Sequence, residues 1–229
     1  MSDVFNFIDK MPKKIVFTDE EKEWIETLIS SDLSHDQIWS GAVNSIGVRR
    51  TDRNQLIKKI KDELTNIQEG YCYYCGFKFD ARVGELGKNK IEREHIAPKS
   101  EYKQFTFQPE NLVLACSICN SSNYKGTTDT IAELAPVYED CAFIIVHPYL
   151  DDRSKHLKVD DGGNICVVDS SPHGSATLKM FNLNETFWVG VRATDIMFRK
   201  YNVSSIQELE NTFLERALQE ALSKNHTSG

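Results

Sequence analysis

Two Cys-x-x-Cys pairs, Cys72/Cys75 and Cys116/Cys119, bracket the segment Glu92-Arg-Glu-His-Ile-Ala-Pro-Lys-Ser100, and the second pair runs directly into Asn120. A thiolate binds zinc at about 2.3 Å, and a Cys-x-x-Cys turn lets two sulfurs point the same way. Two such turns can close a tetrahedral site with no position left for water, so the expected zinc is structural. The rival readings are buried free thiols paired by chance, and a redox dithiol, which needs only one pair. Between the turns, Glu94 can hold a hard divalent cation such as magnesium through a carboxylate oxygen. Its neighbour His95, with an ordinary pKa near ~6.5, can take a proton from water at neutral pH. Asn120 adds an amide oxygen on a backbone anchored by Cys119. A lone Glu-His pair reads most simply as a surface ion pair. Its place in one zinc-anchored loop with Asn120 favours metal-assisted hydrolysis instead. Cys141 and Cys166 sit in apolar contexts and read as core residues.

These groups need a scaffold, and 229 residues suffice for one large domain or two small ones. The first third reads as helical. Thr18-Asp19-Glu20-Glu21 is a capping-box pattern ahead of Trp24, Ile25, Leu28 and Ile29 at helical spacing. A second helix opens at Ser34 or Asp36 and carries Ile38, Trp39, Val43 and Ile46 up to Gly47. A third, over 51–67, puts Leu56, Ile57, Ile60, Leu64 and Ile67 on one stripe.

The zinc-stapled unit then occupies 71–130. Tyr73, Tyr74, Phe77 and Phe79 suit a short hairpin around the first Cys pair; Gly84, Gly87 and Asn89 mark a loop; and Leu112-Val-Leu114 reads as a strand. A short, irregular helix is expected from Asn120. Beyond it, 131–229 reads as α+β. Cys141–Val146 is an expected buried strand stopped by His147-Pro148, and a hairpin turns about Asp160-Asp-Gly-Gly163. Helices are expected over 185–201 and 204–223, followed by a frayed tail. The resulting layout is a helical N-terminal region (1–70), the zinc-stapled core (71–130) and an α+β C-terminal region (131–229).

The net charge of −7 argues against coating nucleic acid by bulk electrostatics, so phosphate binding would need a local basic face. Two clusters offer one: Arg49, Arg50, Arg53, Lys58, Lys59 and Lys61 before the first Cys pair, and Lys88, Lys90, Arg93, Lys99 and Lys103 around Glu94-His95. Either alone reads as a solvated face; together, flanking a candidate metal site, they suit phosphates. Lys125 is a further candidate. No apolar run approaches the ~20 residues of a membrane span. The first residues lack a secretory signal, and cysteines in metal-type spacing fit a reducing cytosol, so a cytoplasmic location with no membrane partner is expected.

The string Glu94-His95-Ile-Ala-Pro98-Lys-Ser, then Asn111-Leu-Val-Leu-Ala-Cys116-x-x-Cys119-Asn120, then Lys125-Gly126, resembles the HNH endonuclease superfamily, closest to its four-cysteine zinc-ribbon branch. The resemblance covers about a quarter of the chain and implies a ββα-metal fold within an α+β protein. It implies that His95 is the general base, and that Glu94 takes the place of the acidic or histidine metal ligand before it. By the same match, Asn111 is the middle Asn that braces the loop, and Asn120 is the last metal ligand. Two departures stand out: Glu replaces the commoner Asp or His, and the interval from Asn120 to Lys125-Gly126 is long. Asn123 is therefore an alternative last ligand.

A looser likeness spans more of the chain. The order of helical N-terminus, HNH core, His147-Pro-Tyr-Leu-Asp-Asp152, Gly162-Gly-Asn-Ile165 and Ala176–Asn184 resembles the HNH nucleases of Septu-type and retron-associated anti-phage systems, which implies an ATPase partner. His147, His156 and His173 match no catalytic role and read as structural or surface residues. The expected activity is phosphodiester hydrolysis of nucleic acid, DNA favoured, with one magnesium or manganese ion and with Arg93, Lys99, Lys103 and Lys125 on flanking phosphates. The rival from another class is a zinc-ribbon adaptor that binds nucleic acid or protein and cuts nothing.

Overall fold

A computed structural model describes residues 4–41, 43–79 and 90–226. The expected loop at Gly84, Gly87 and Asn89, with Lys88, lies outside them, as does the tail beyond His226.

Helix α1 spans Asp19–Ser30 and begins with the expected capping box: Thr18 Oγ1 accepts from Glu21 N, and the Glu21 carboxylate accepts from Thr18 N. Ser34 and Gln37 repeat that device for α2, His35–Ser40. The structure cuts the second helix short at Gly41, so Val43 and Ile46 belong to a separate 3-10 turn instead of a longer stripe. Helix α3, Arg50–Ile67, buries Leu56, Ile60 and Leu64.

Two antiparallel strands carry the centre of the molecule. Strand β1 (Ile91–His95) pairs with β2 (Leu112–Cys116) in a register running from Ile91 opposite Cys116 to His95 opposite Leu112. All of β2 is buried. The Gln68 side chain, just past α3, donates to Leu114 O at 2.9 Å and accepts from Leu114 N at 2.6 Å. One amide thus satisfies the central backbone groups on the outer edge of β2, as a third strand would.

The hairpin expected at the first Cys pair is reduced to single bridges, Tyr71 to Lys78 and Phe5 to Phe77, with Gly76 turning at a φ of +74°. After β2 no regular helix forms. Residues 117–127 make successive turns, and Gly126 at a φ of +47° takes a left-handed conformation that serves turns rather than helices. Of the expected ββα arrangement, the two strands are present and the third element is irregular.

Further on, β3 (Ile131–Glu133) pairs with β4 (Ala142–Phe143). The strand expected over Cys141–Val146 shrinks to those two residues because its partner is only three residues long and shifts register. Strands β5 (Leu157–Val159) and β6 (Ile165–Val167) form the expected hairpin. Helix α4 (Pro172–Met180), capped by Ser171, adds to the elements expected from the sequence, whereas α5 (Thr186–Tyr201) and α6 (Ile206–His226) are the two expected helices. One cluster of buried apolar side chains joins all three expected regions, with Leu64, Val113 and Phe143 among its members.

Candidate metal and catalytic centre

The four cysteines of the two turns converge. Cys72, Cys75, Cys116 and Cys119 are buried and free of disulfides, and their sulfurs all lie within 4.8 Å of one another. Cys75 and Cys116 Sγ are 3.9 Å apart, close to the about 3.8 Å that 2.3 Å bonds in a tetrahedron require. Backbone N–H groups of Cys116 and Cys119 point at Cys72 Sγ and Cys116 Sγ, at 3.3 and 3.5 Å. The adjacent Cys116 sulfur, foremost, pushes the Cys75 and Cys119 thiols well above the usual range. So close a cluster needs a cation before all four sulfurs can ionise, and the donor set fits zinc.

Glu94 and His95 end β1 and face, with Asn120, a cleft of about 470 Å³. His95 is only 6% exposed, and Thr106 O lies 3.0 Å from its Nε2. A carbonyl can only accept, so Nε2 carries the proton and Nδ1 holds the free lone pair. Trp39 of α2 packs edge-on against the ring, with centroids 4.5 Å apart at 71°. Burial, against the Thr106 contact, pulls the His95 pKa down to about 3. The imidazole is therefore neutral, in its proton-accepting form, throughout the physiological range.

Glu94 is buried against an equally buried cation: Lys125 Nζ lies 2.5 Å from Glu94 Oε1 and donates to His95 O at 2.8 Å. Burial raises the Glu94 pKa despite the opposing Lys125 charge. Lys125, expected on a flanking phosphate, turns inward instead. It is 1% exposed and bound to the ends of the Glu94-His95 pair.

Asn111 is fully buried and holds the loop that follows β1. Its Oδ1 accepts from Ala97 N at 2.7 Å, and its Nδ2 donates to Ala97 O and Phe105 O at 3.1 and 2.9 Å. Phe105 precedes Thr106, the residue that holds His95. Tyr138 donates to Asn111 Oδ1 at 2.9 Å, and His147 Nε2 lies 3.0 Å from the same hydroxyl. His147 Nδ1 already accepts from Tyr149 N and Leu150 N, so Nε2–H is the donor to Tyr138. Trp39, Thr106, Tyr138 and His147 were missed as site residues in the sequence. Only the His147-Pro-Tyr motif singled out any of them, and nothing in its spacing pointed to Asn111.

The other expected residues divide. Arg93 and Lys99 line the cleft; Arg93 Nε has no hydrogen-bond partner among the described residues, and Lys99 bonds Asp36 at 3.0 Å. Lys103 turns away to the Ser31 carbonyl. Asn123 is exposed and is not among the cleft residues. The Asn120 side chain has no hydrogen-bond partner among the described residues, whereas its N–H bonds Cys116 O. The first basic cluster is largely occupied: Arg49 pairs with Asp52, Lys58 with Asp62 and Lys59 with Glu21, while buried Arg53 donates to Gly41 O.

Two strands, a four-sulfur cluster and a Glu-His pair thus fall within one unit of the chain. Residues 72–126, about a quarter of the chain, match the sequence model of the HNH endonuclease family. No curated protein matches the chain at a significant level. Among the described residues no helix is long and apolar enough to cross a membrane.

Proposed function

We propose that the protein is an endonuclease that hydrolyses phosphodiester bonds in nucleic acid, with DNA the favoured substrate. The observation that carries this reading is the cleft in which a neutral, tautomerically fixed His95 sits beside Glu94 and Asn120, within the segment that matches the HNH endonuclease family. His95 takes a proton from water as the water oxygen bonds to phosphorus and the 3′ oxygen leaves, giving a 5′ phosphate. Glu94 and Asn120 would hold a magnesium or manganese ion, which supplies the positive charge that phosphate hydrolysis draws on. Glu94 must share its carboxylate between that ion and Lys125. Asn120, closer to the cleft than Asn123, is the better last ligand. Arg93, whose guanidinium is incompletely paired, and Lys99 supply phosphate contacts.

The Lys125–Glu94 ion pair is the one observation that favours the rival adaptor, because it occupies the proposed metal ligand. A magnesium-dependent cleavage assay on DNA and RNA, wild type against His95→Ala, separates the two. Cleavage by wild type alone, with zinc content equal in both, supports the nuclease. Equal cleavage by both removes His95 from the chemistry. An anti-phage role with an ATPase partner rests on the motif order alone, and a cytoplasmic location on the metal-type spacing of the cysteines; the same assay run with any ATPase encoded beside the protein tests the partner.

A further inference from the structure

Three residues outside the cleft converge in the C-terminal region: Asp151 in the turn after His147-Pro148, His156 after the 3-10 turn Arg153–Lys155, and His173 in the first turn of α4. One donor atom from each lies within 4.8 Å of the others. Asp151 Oδ1 is 3.9 Å from His156 Nε2, and Oδ2 is 4.0 Å from His173 Nδ1. Both separations are too long for hydrogen bonds. The two imidazoles lie nearly parallel, 26° apart, with centroids 5.6 Å apart.

Two further observations point to a ligand between them. His173 Nδ1 is buried and has no hydrogen-bond partner among the described residues, an unfavourable arrangement unless something fills it. Each of the other donors is also held from behind. His156 Nδ1 is 2.7 Å from Ser171 Oγ, the N-cap of α4, and Asp151 Oδ2 accepts from His147 N at 2.7 Å. Hydrogen bonds of this kind, to the far ring nitrogen and to the carboxylate, orient metal ligands.

We propose that Asp151, His156 and His173 form a second metal site, distinct from the four cysteines and from the cleft. Two imidazole nitrogens and one carboxylate suit zinc or a similar first-row divalent ion, whereas magnesium prefers an all-oxygen shell. Bonds of about 2.0–2.1 Å in a tetrahedron place donors about 3.3 Å apart, so donor atoms that lie within 4.8 Å of one another must draw together to close on an ion. The fourth position is open to water. The ion would pin the turn from His147 to Asp151, whose backbone already reaches Asp151 Oδ2 and whose His147 imidazole meets Tyr138 behind Asn111. It would therefore clamp the C-terminal region to the loop after β1, whose Thr106 holds His95.

The test is metal content in the untagged full chain, measured by plasma mass spectrometry after equilibration with micromolar zinc. Wild type should hold about two equivalents, and His173→Ala and Asp151→Asn about one each. His173 has a side chain 41% exposed, so its replacement leaves the fold intact by circular dichroism. Cobalt substitution assigns the loss. The thiolate-to-cobalt charge-transfer band should persist in both variants, while the weaker visible bands of the second equivalent disappear. A single equivalent in saturated wild type, or a second equivalent retained by both variants, would overturn the site.

Discussion

Lys125 Nζ lies 2.5 Å from Glu94 Oε1, with both side chains buried, so the candidate cation ligand already has a cation of the protein's own. Removing one partner of a buried pair strands the other charge, at a cost of about 3–5 kcal/mol. Lys125→Met should therefore lower the urea midpoint markedly, and the Glu94→Gln/Lys125→Met double variant should recover most of the loss. If Glu94 is also the magnesium ligand, added magnesium should raise the melting temperature of Lys125→Met more than that of wild type. An equal response in the two proteins would show that Glu94 takes no cation.

The Asn111–Tyr138–His147 chain makes a separate prediction. Tyr138→Phe removes the hydroxyl that joins the other two, leaving buried His147 Nε2–H unpaired. The expected destabilisation is about 1–3 kcal/mol. Because Asn111 also holds Phe105 O, next to the Thr106 that fixes His95, cleavage should fall by about tenfold or more while zinc content stays constant. Loss of stability with a wild-type cleavage rate would make the chain purely structural.

Much of this centre was legible in the sequence because its ligands come in short-range motifs. Cys-x-x-Cys turns and the Glu94-His95 step fix their own local geometry, and the capping box at Thr18 does the same for α1. What was hidden depends on long-range packing. Nothing local to Lys125 says that it folds back 30 residues onto His95 O. Nothing in the stripe of α2 says that Trp39 covers the His95 imidazole rather than apolar core. Within the basic run at 49–61, helical spacing supplies partners for two members: Asp52 and Asp62 lie three and four residues from Arg49 and Lys58. The grouping of His173 with Asp151 and His156 required α4, which an Ala- and Gly-containing segment after Ser-Ser-Pro did not announce.

Burial pulls the pKa values of His95 and His147 down to about 3. An unfolded chain returns each to about 6.5, so between those values the unfolded state binds more protons. Their contribution to stability is complete above pH ~6.5 and is lost as pH falls from there toward 3. Each histidine should cost about 2 kcal/mol between pH 7 and pH 5. Urea midpoints of wild type and His147→Gln at those two pH values measure this. The variant should lose about 2 kcal/mol less than wild type on acidification, and an identical loss would mean that His147 is not held neutral.

Zinc removal tests the staple itself. The cysteine pairs tie the segment after α3 to the end of β2, and the same strand end carries Asn120 into the cleft. Structural zinc sites contribute apparent binding energies of roughly 10–16 kcal/mol, as large as the whole stability of many domains. Cys75→Ser, or a chelator strong enough to strip a four-thiolate site, should therefore collapse the near-ultraviolet signal of buried Tyr73 and Tyr74, which lie between Cys72 and Cys75. Magnesium should not restore that signal, because a hard cation does not replace zinc among thiolates. Restored zinc should recover both signal and cleavage for the chelated wild type. An unchanged signal after complete chelation would show that the sulfurs are packed thiols, and that Asn120 is positioned by the core alone.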